Sequence, residues 1–296
     1  MADSSATVAV IGIGIMGSAI ARNLIAAGRP VVGYDTNPAR LGLLREFGGT
    51  AVRSAAEAGA MADLVLTSLP RAASLDETIS ALLGVSRPGT VVAELSTLPL
   101  EVKEQNRDRL AAAGVVMLDC PLSGTGAQAM SGDLAVYASG ERSAYDRVAA
   151  TFAQFARVSH YLGAFGNGSK MKFVANLLVA IHNVASSEAM VLGLKAGLDP
   201  DMIVKVIGSG AGTSRIFELR APMMARDSYE PPSMKIDIWQ KDMAIIAAFA
   251  ESLGVAAPLF KASAPIYDMA VEQGLGSLDT AAVCRVLERL AALQRH

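Results

Sequence analysis

Histidine, cysteine and charge are all scarce in this chain. Among 296 residues there are three histidines and two cysteines. Cys120 and Cys284 stand far apart, which excludes a disulfide framework and any thiolate metal site of recognisable spacing. His160, His182 and His296 are scattered and belong to no cluster of acids or thiols. His182, set in an apolar stretch, reads as a hydrogen-bonded core residue rather than a catalyst. Charged residues make up 18% of the chain and the net charge is −2. No basic surface is expected, so neither nucleic acid nor an anionic membrane is a natural partner. The first residues, 1–6, lack the basic flank of a signal peptide, and a reduced, cytoplasmic setting is the expectation. Repeats and low-complexity tracts are absent. What is abundant is apolar surface: 52% of residues are hydrophobic. That is enough for a sizeable core, and the length suits two domains.

The first chemistry-bearing stretch follows an apolar run. Thr7 to Ile11 is short and β-branched, as a buried parallel strand should be. It leads directly into Gly12-Ile13-Gly14-Ile15-Met16-Gly17, then a helical stretch from Ser18 to Ala27, then a second strand at Val31 to Tyr34 with Asp35 at its end. Strand, glycines, helix, strand and acid in this order form the dinucleotide fingerprint. Gly12 permits the tight turn, Gly14 lets the backbone approach a pyrophosphate, and Gly17 allows close helix–strand packing. Asp35 is placed to accept from ribose hydroxyls. An NAD-binding Rossmann domain is therefore expected over residues 1–164.

The α/β rhythm continues through strands at Leu64 to Ser68, Val91 to Leu95, Val115 to Leu118 and Ala135 to Ala138. Ligands of open parallel sheets lie beyond the strands' carboxyl ends. This makes Leu69-Pro70, Ser96-Thr97 and the segment from Asp119 to Ala127 candidates for the site. After residue 164 no further strand is expected. Residues 165–296 read as an all-helical domain built around one long helix, from about Gly166 to Gly197. Asn167 or Ser169 can cap its start and Gly197 can end it. Helices from Asp199-Pro200, from Arg215 to Ala221, from Lys235 to Leu253, from Pro258 to Gln273 and from Asp279 to Gln294 complete the domain.

The apolar residues of the long helix run nearly all the way round it, so burial on most sides is expected. Asn176, His182, Asn183, Ser186, Ser187 and Glu188 interrupt the run and argue against a membrane span. Lys172 falls near the helix start, where the dipole and partial burial lower a lysine's pKa. Asn176 lies one turn on and shares its face; Lys170 does not.

With these residues laid out, the chain resembles the β-hydroxyacid dehydrogenase family, which includes 3-hydroxyisobutyrate dehydrogenase and tartronate semialdehyde reductase and is related to 6-phosphogluconate dehydrogenase. Four signatures match in order: the glycine turn, Asp119-Cys120-Pro121-Leu122-Ser123-Gly124, Gly166-Asn167-Gly168 followed by Lys172 and Asn176, and Lys241-Asp242. The resemblance implies that Lys172 is the catalytic lysine and that Ser123, Gly124 and Asn176 bind the substrate carboxylate. Gly12, Ile13, Gly14, Met16, Gly17, Asp35, Leu69, Pro70, Thr97 and Lys241 fall on cofactor contacts. It implies a hydride exchanged between NAD, or NADP, and a small β-hydroxy acid, and a homodimer or homotetramer. No metal is implied.

Some positions depart from the family pattern. Thr125 stands where many relatives have a second glycine, Ala175 replaces the first of two asparagines, and Met234 replaces a phenylalanine. Ala175 and Val179 occupy the places of the histidine and glutamate of 6-phosphogluconate dehydrogenase, so its decarboxylation is not expected. Two alternatives stand beside the dehydrogenase: an imine reductase, against which Lys172 argues, and a nucleotide-binding scaffold without turnover, against which Lys172, Asn176 and Ser123 together argue.

Overall fold

The structure is a computed structural model, and it describes residues 6–295. Its chain divides into a first compact unit ending at Lys172 and a second beginning at Phe173.

The first unit opens with alternating strands and helices: β1 (Val8–Ile11), α1 (Ile15–Ala26), β2 (Val31–Tyr34), α2 (Pro38–Glu46), β3 (Thr50–Ala51), α3 (Ala55–Ala60), β4 (Leu64–Thr67), α4 (Ala72–Leu83), β5 (Val91–Glu94), α5 (Leu100–Ala111) and β6 (Val116–Asp119). The six strands form one parallel sheet in the order β3-β2-β1-β4-β5-β6. The order reverses beside β1, and that switch point lies at the glycine turn. Both sheet faces are covered. Val8, Val10, Leu66 and Leu118 pack on one side with Ile20 and Leu24 of α1. Ala9, Ile11, Val65 and Met117 pack on the other with Ile79 and Leu82 of α4. Neighbours along a strand thus serve opposite cores, and for this reason the strands read as continuous apolar runs.

A smaller sheet follows. Here β7 (Leu122–Ser123) pairs antiparallel with β8 (Ala135–Ala138), which pairs parallel with β9 (Val158–Tyr161). Helices α6 (Gly126–Met130) and α7 (Arg142–Phe152) lie between them in sequence. Sequence reasoning anticipated β8 but not β7, which is only two residues long, or β9, which is half-exposed and carries no clear alternation.

The long helix is α8 (Asn167–Lys195), continuous across the division between the units. Beyond it come α9 (Pro200–Gly208), α10 (Arg215–Ala225), α11 (Ile236–Ser252), α12 (Pro258–Glu272) and α13 (Val283–Leu290). No strand follows β9 among the described residues. Helix α10 passes through Pro222 instead of stopping before it. Buried Met224 and Ala225 hold the extra turn in place, so packing outweighs the one hydrogen bond that proline gives up. The last helix is shorter than expected, because residues Thr280–Ala282 form a separate 3-10 turn capped by Asp279.

Two expectations about α8 need correction. Its burial is incomplete: Met171, Val174, Leu178 and Leu192 are between 45% and 73% exposed. By length and composition it could cross a membrane, as the core helix of a soluble protein also can. Its start is also not capped by its own side chains. Asn167 Nδ2 donates to the Leu162 carbonyl, and Ser169 lies inside the first turn with its hydroxyl on Asp119.

Candidate active site

The glycine turn has the geometry its sequence requires. Gly12 has φ +90°, and a Cβ there would lie 2.2 Å from the Ser68 carbonyl oxygen. A Cβ on Gly17 would lie 1.9 Å from the Gly12 carbonyl oxygen. Only glycine fits either place. At Gly14 a Cβ would meet nothing within 4 Å, so its backbone borders open space. Helix α1 begins at the next residue and has no acid in its first turn. Its unpaired N–H groups and positive end suit a pyrophosphate. The Asp35 carboxylate accepts from the backbone N–H of Ile13 at 2.7 Å and of Asn37 at 2.8 Å. Both bonds fix the acid beside the turn. These residues fit a dinucleotide.

Three further loops follow the ends of β4, β5 and β6. The sheet register sets Thr67, Glu94 and Asp119 side by side. Glu94 and Asp119 are fully buried, and so is Lys103 of α5, which reaches both. Lys103 Nζ lies 2.6 Å from Glu94 Oε2, 2.8 Å from Asp119 Oδ1 and 2.7 Å from the Ser96 carbonyl. Burial pulls its pKa down, but the attraction and hydrogen bonds of the two carboxylates outweigh this and leave it raised. Lys103 is therefore a fixed cation. The second Glu94 oxygen accepts from Ser96 N–H at 2.9 Å, and Ser96 Oγ accepts from Leu69 N–H at 2.7 Å. The two loops carrying Leu69-Pro70 and Ser96-Thr97 are thus joined.

Asp119 also reaches the start of α8. Its Oδ2 accepts from Ser169 N–H at 2.7 Å, and its Oδ1 from the Ser169 hydroxyl at 2.8 Å. Ser139 Oγ accepts from Gly168 N–H at 2.9 Å. A Cβ on Gly168 would meet the Tyr137 carbonyl oxygen at 2.2 Å, so the helix start lies directly on the strand backbone. The helix begins at Asn167, so Lys172 lies just past its first turn, near the positive end of the helix as expected. Lys172 is half-buried and Lys170 exposed.

Ser123 is held by pairing with Ala135, and Gly124 turns the chain with φ +138°. Thr125 caps α6 in a reciprocal capping box with Gln128. A Cβ on Gly126 would lie 2.7 Å from Ile15 Cγ2, so this loop packs beside the glycine turn.

In the second unit, Asn176 is 4% exposed and donates from Nδ2 to Asp242 Oδ2 at 3.0 Å. Lys241 Nζ lies 3.2 Å from the other Asp242 oxygen. Asp242 thus ties the amide of α8 to the lysine of α11. Met234 follows Ser233, and both backbone N–H groups donate to buried Asp279. Sequence reasoning missed Lys103 and Glu94. A clue was present, since a glutamate inside the apolar run Val91-Val92-Ala93-Glu94-Leu95 demands a buried partner.

A parallel sheet of this order, with such a glycine turn and acid, defines a dinucleotide-binding protein. Comparison with known proteins narrows the class. Residues 7–163 match the family model described as the NAD binding domain of 6-phosphogluconate dehydrogenase. Residues 166–287 match that described as NAD-binding of NADP-dependent 3-hydroxyisobutyrate dehydrogenase. An L-threonate dehydrogenase of Cupriavidus necator is 36% identical over 286 residues, which cover 95% of this chain and 96% of that protein. Glyoxylate/succinic semialdehyde reductase 1 of Arabidopsis thaliana is 29% identical over 95% of this chain and 98% of its own length. A crystal structure of 3-hydroxyisobutyrate dehydrogenase from Salmonella typhimurium superposes with a TM-score of 0.87 at 29% identity, covering 95% of this chain and all of that one. The chain belongs to the β-hydroxyacid dehydrogenase family. It is an NAD(P)-dependent oxidoreductase acting on the CH–OH group of small hydroxy acids.

Proposed function

We propose that the enzyme oxidises a small polyhydroxylated carboxylate of the L-threonate type, with Lys172 as general base and, in the reverse direction, general acid. The observation that carries this reading is the set of polar residues on and beside α8. Lys172 and Asn176 stand one turn apart, and Asn176 is held by the Asp242 that also pairs with Lys241. The near full-length likeness to L-threonate dehydrogenase supports the substrate class.

Gly12, Ile13, Gly14, Met16 and Gly17 hold the pyrophosphate, and Asp35 the adenosine ribose. Leu69, Pro70, Thr97 and Lys241 make further cofactor contacts. Ser123, Gly124 and Asn176 supply donors to the substrate carboxylate, which backbone N–H, hydroxyl and amide groups satisfy well. A nicotinamide cofactor bound there would supply the hydride acceptor for oxidation and the hydride donor for reduction. Lys172 as neutral amine accepts the hydroxyl proton in the first case and as ammonium returns it in the second. Residues 1–164 serve as the dinucleotide-binding domain and 165–296 as the substrate and oligomerisation domain.

NAD is the preferred cofactor in this reading, because the Asp35 carboxylate repels a 2′-phosphate; Arg40, near in sequence, offsets this in part. The protein works as a homodimer or homotetramer in the cytoplasm. Met171, Val174, Leu178, Ile181, Ala185 and Leu192 form a row on α8 with alternating steps of three and four, interrupted by Glu188 at one step, and all but Ile181 are exposed. A helix with such a row has a partner to meet. Both cysteines are free thiols, as a reducing compartment allows.

The test is cofactor reduction with L-threonate, 3-hydroxyisobutyrate and glycerate, and NADH or NADPH oxidation with succinic semialdehyde, glyoxylate and a cyclic imine. Highest kcat/KM for L-threonate with NAD is expected. Turnover of the imine alone, or of nothing despite cofactor binding, would overturn the reading.

A further inference from the structure

A lysine and two carboxylates lie fully buried at the edge of the dinucleotide sheet, and none of the three has a role in the chemistry above. Burying three charges is a poor way to gain stability. Apolar residues of the same volume often do as well or better. The arrangement also carries an excess negative charge, which the dry interior would not tolerate alone. That excess is met by the N-terminus of α8. Asp119 accepts two hydrogen bonds from Ser169, and Ser139 accepts the neighbouring Gly168 N–H. A helix N-terminus carries roughly half a positive charge.

The bonds lead in two directions. From Lys103 through Glu94 they run to Ser96 N–H, and Ser96 Oγ takes the Leu69 N–H. This arm ends on the loops that hold cofactor in the reading above. From Lys103 through Asp119 they run to Ser169, three residues before Lys172. Every bond in both arms is between 2.6 and 2.9 Å. Three of the four carboxylate oxygens accept hydrogen bonds and the fourth, Glu94 Oε2, has only its ion pair with Lys103, so neither arm can shift without breaking a buried contact.

We propose that the Lys103–Glu94–Asp119 triad is a positioning device that holds the cofactor loops and the helix bearing Lys172 in one register. Glu94 sets the cofactor arm and Asp119 sets the lysine arm. These are positioning residues, acting through Leu69 and Lys172. The proposal rests on the role given to Lys172.

Two mild substitutions separate the arms without leaving a charge unpaired. Ser169→Ala removes the hydroxyl bond to Asp119. Ser96→Ala removes the acceptor of Leu69 N–H. Three quantities are measured on the full-length protein: hydrogen exchange at the amides of the first two turns of α8, the NAD dissociation constant, and kcat. A misplacement of about 1 Å can cost ~10²-fold in rate. For Ser169→Ala, helix exchange is expected to rise and kcat to fall about tenfold, with NAD affinity unchanged within about twofold. For Ser96→Ala, the NAD dissociation constant rises about tenfold while helix exchange stays as in the parent. Ser169→Thr and Ser96→Thr keep the hydroxyl and restore the parent values. If the alanine variants only lower the melting temperature, or if both move the same quantity, the positioning role is overturned. Lys172→Met is measured alongside. Full kcat in that variant overturns the role of Lys172 and takes kcat out of the comparison, while exchange and NAD affinity still decide the triad.

Discussion

Lys172 and Lys170 are two positions apart but about 200° apart around the helix. One is half-buried and the other exposed. Lys172→Met keeps most of the volume and removes the proton, so kcat is expected to fall about 10²–10⁴-fold with cofactor affinity unchanged, as loss of general acid–base catalysis predicts. Lys170→Met should leave kcat alone; the opposite pattern in steady-state kinetics would refute the assignment. The glycines divide in the same way. Gly17→Ala pushes a methyl into the Gly12 carbonyl and should destabilise by about 1–3 kcal/mol, as overpacking does. Gly14→Ala meets no atom of the protein, so its melting temperature should hold while NAD affinity falls. The two thiols give a third contrast. Burial, with Asp119 next, raises the Cys120 pKa well above its usual value, and burial with Glu288 pushes Cys284 up to about 12. Neither should react with a thiol reagent at mildly alkaline pH until the protein unfolds. Early labelling of the native protein would refute this. An acid whose pKa is raised by folding stays neutral while the unfolded chain ionises. These groups therefore cost stability as pH rises above about 8.5, the ordinary thiol value.

Among the elements, the strand–helix pair of α5 and β5 bears the strongest constraint. Lys103→Met leaves two buried carboxylates without their cation, and breaking a buried pair in this way costs about 3–5 kcal/mol. Urea denaturation of the variant should give an unfolding free energy lower by that much; an unchanged midpoint would mean the carboxylates take up protons at little cost. The sign of the pH effect is opposite in origin to that of an acid. The Lys103 pKa is raised by folding, so its contribution is complete below about 10.4, the unfolded value, and is lost as pH climbs through the native one. The sequence showed several of these elements and hid others for definite reasons. Strands β1, β2, β4, β5 and β6 were legible because they are buried on both faces, whereas the two-residue β3 and the half-exposed β9 were not. The β1–α1 turn was legible because its glycines have no substitutes. The place where α8 starts was legible too, but not what caps it, because the acceptor is Asp119, fifty residues away. The passage of α10 through Pro222 was hidden likewise, since only tertiary packing holds it. Lys103 sits in a helix of polar composition, Leu-Glu-Val-Lys-Glu-Gln-Asn-Arg, and nothing local marks it as buried.

For the molecule as a whole, association is the expectation most open to measurement. Leu178→Lys and Leu192→Glu place charge in the exposed row of α8 and should shift the protein toward monomer in light scattering at micromolar concentration. A parent protein that is already monomeric would refute the homo-oligomer. The α8 helix has a further consequence for the life of the chain during synthesis. The two compact units meet between Lys172 and Phe173, inside a helix that runs on without interruption from Asn167 to Lys195. On the ribosome, Asp119 and Lys103 emerge well before the helix start that completes their hydrogen bonds. The interior of the first unit is therefore completed only when its own last residues, Gly168 and Ser169, have been made, and its maturation waits on the end of its own segment.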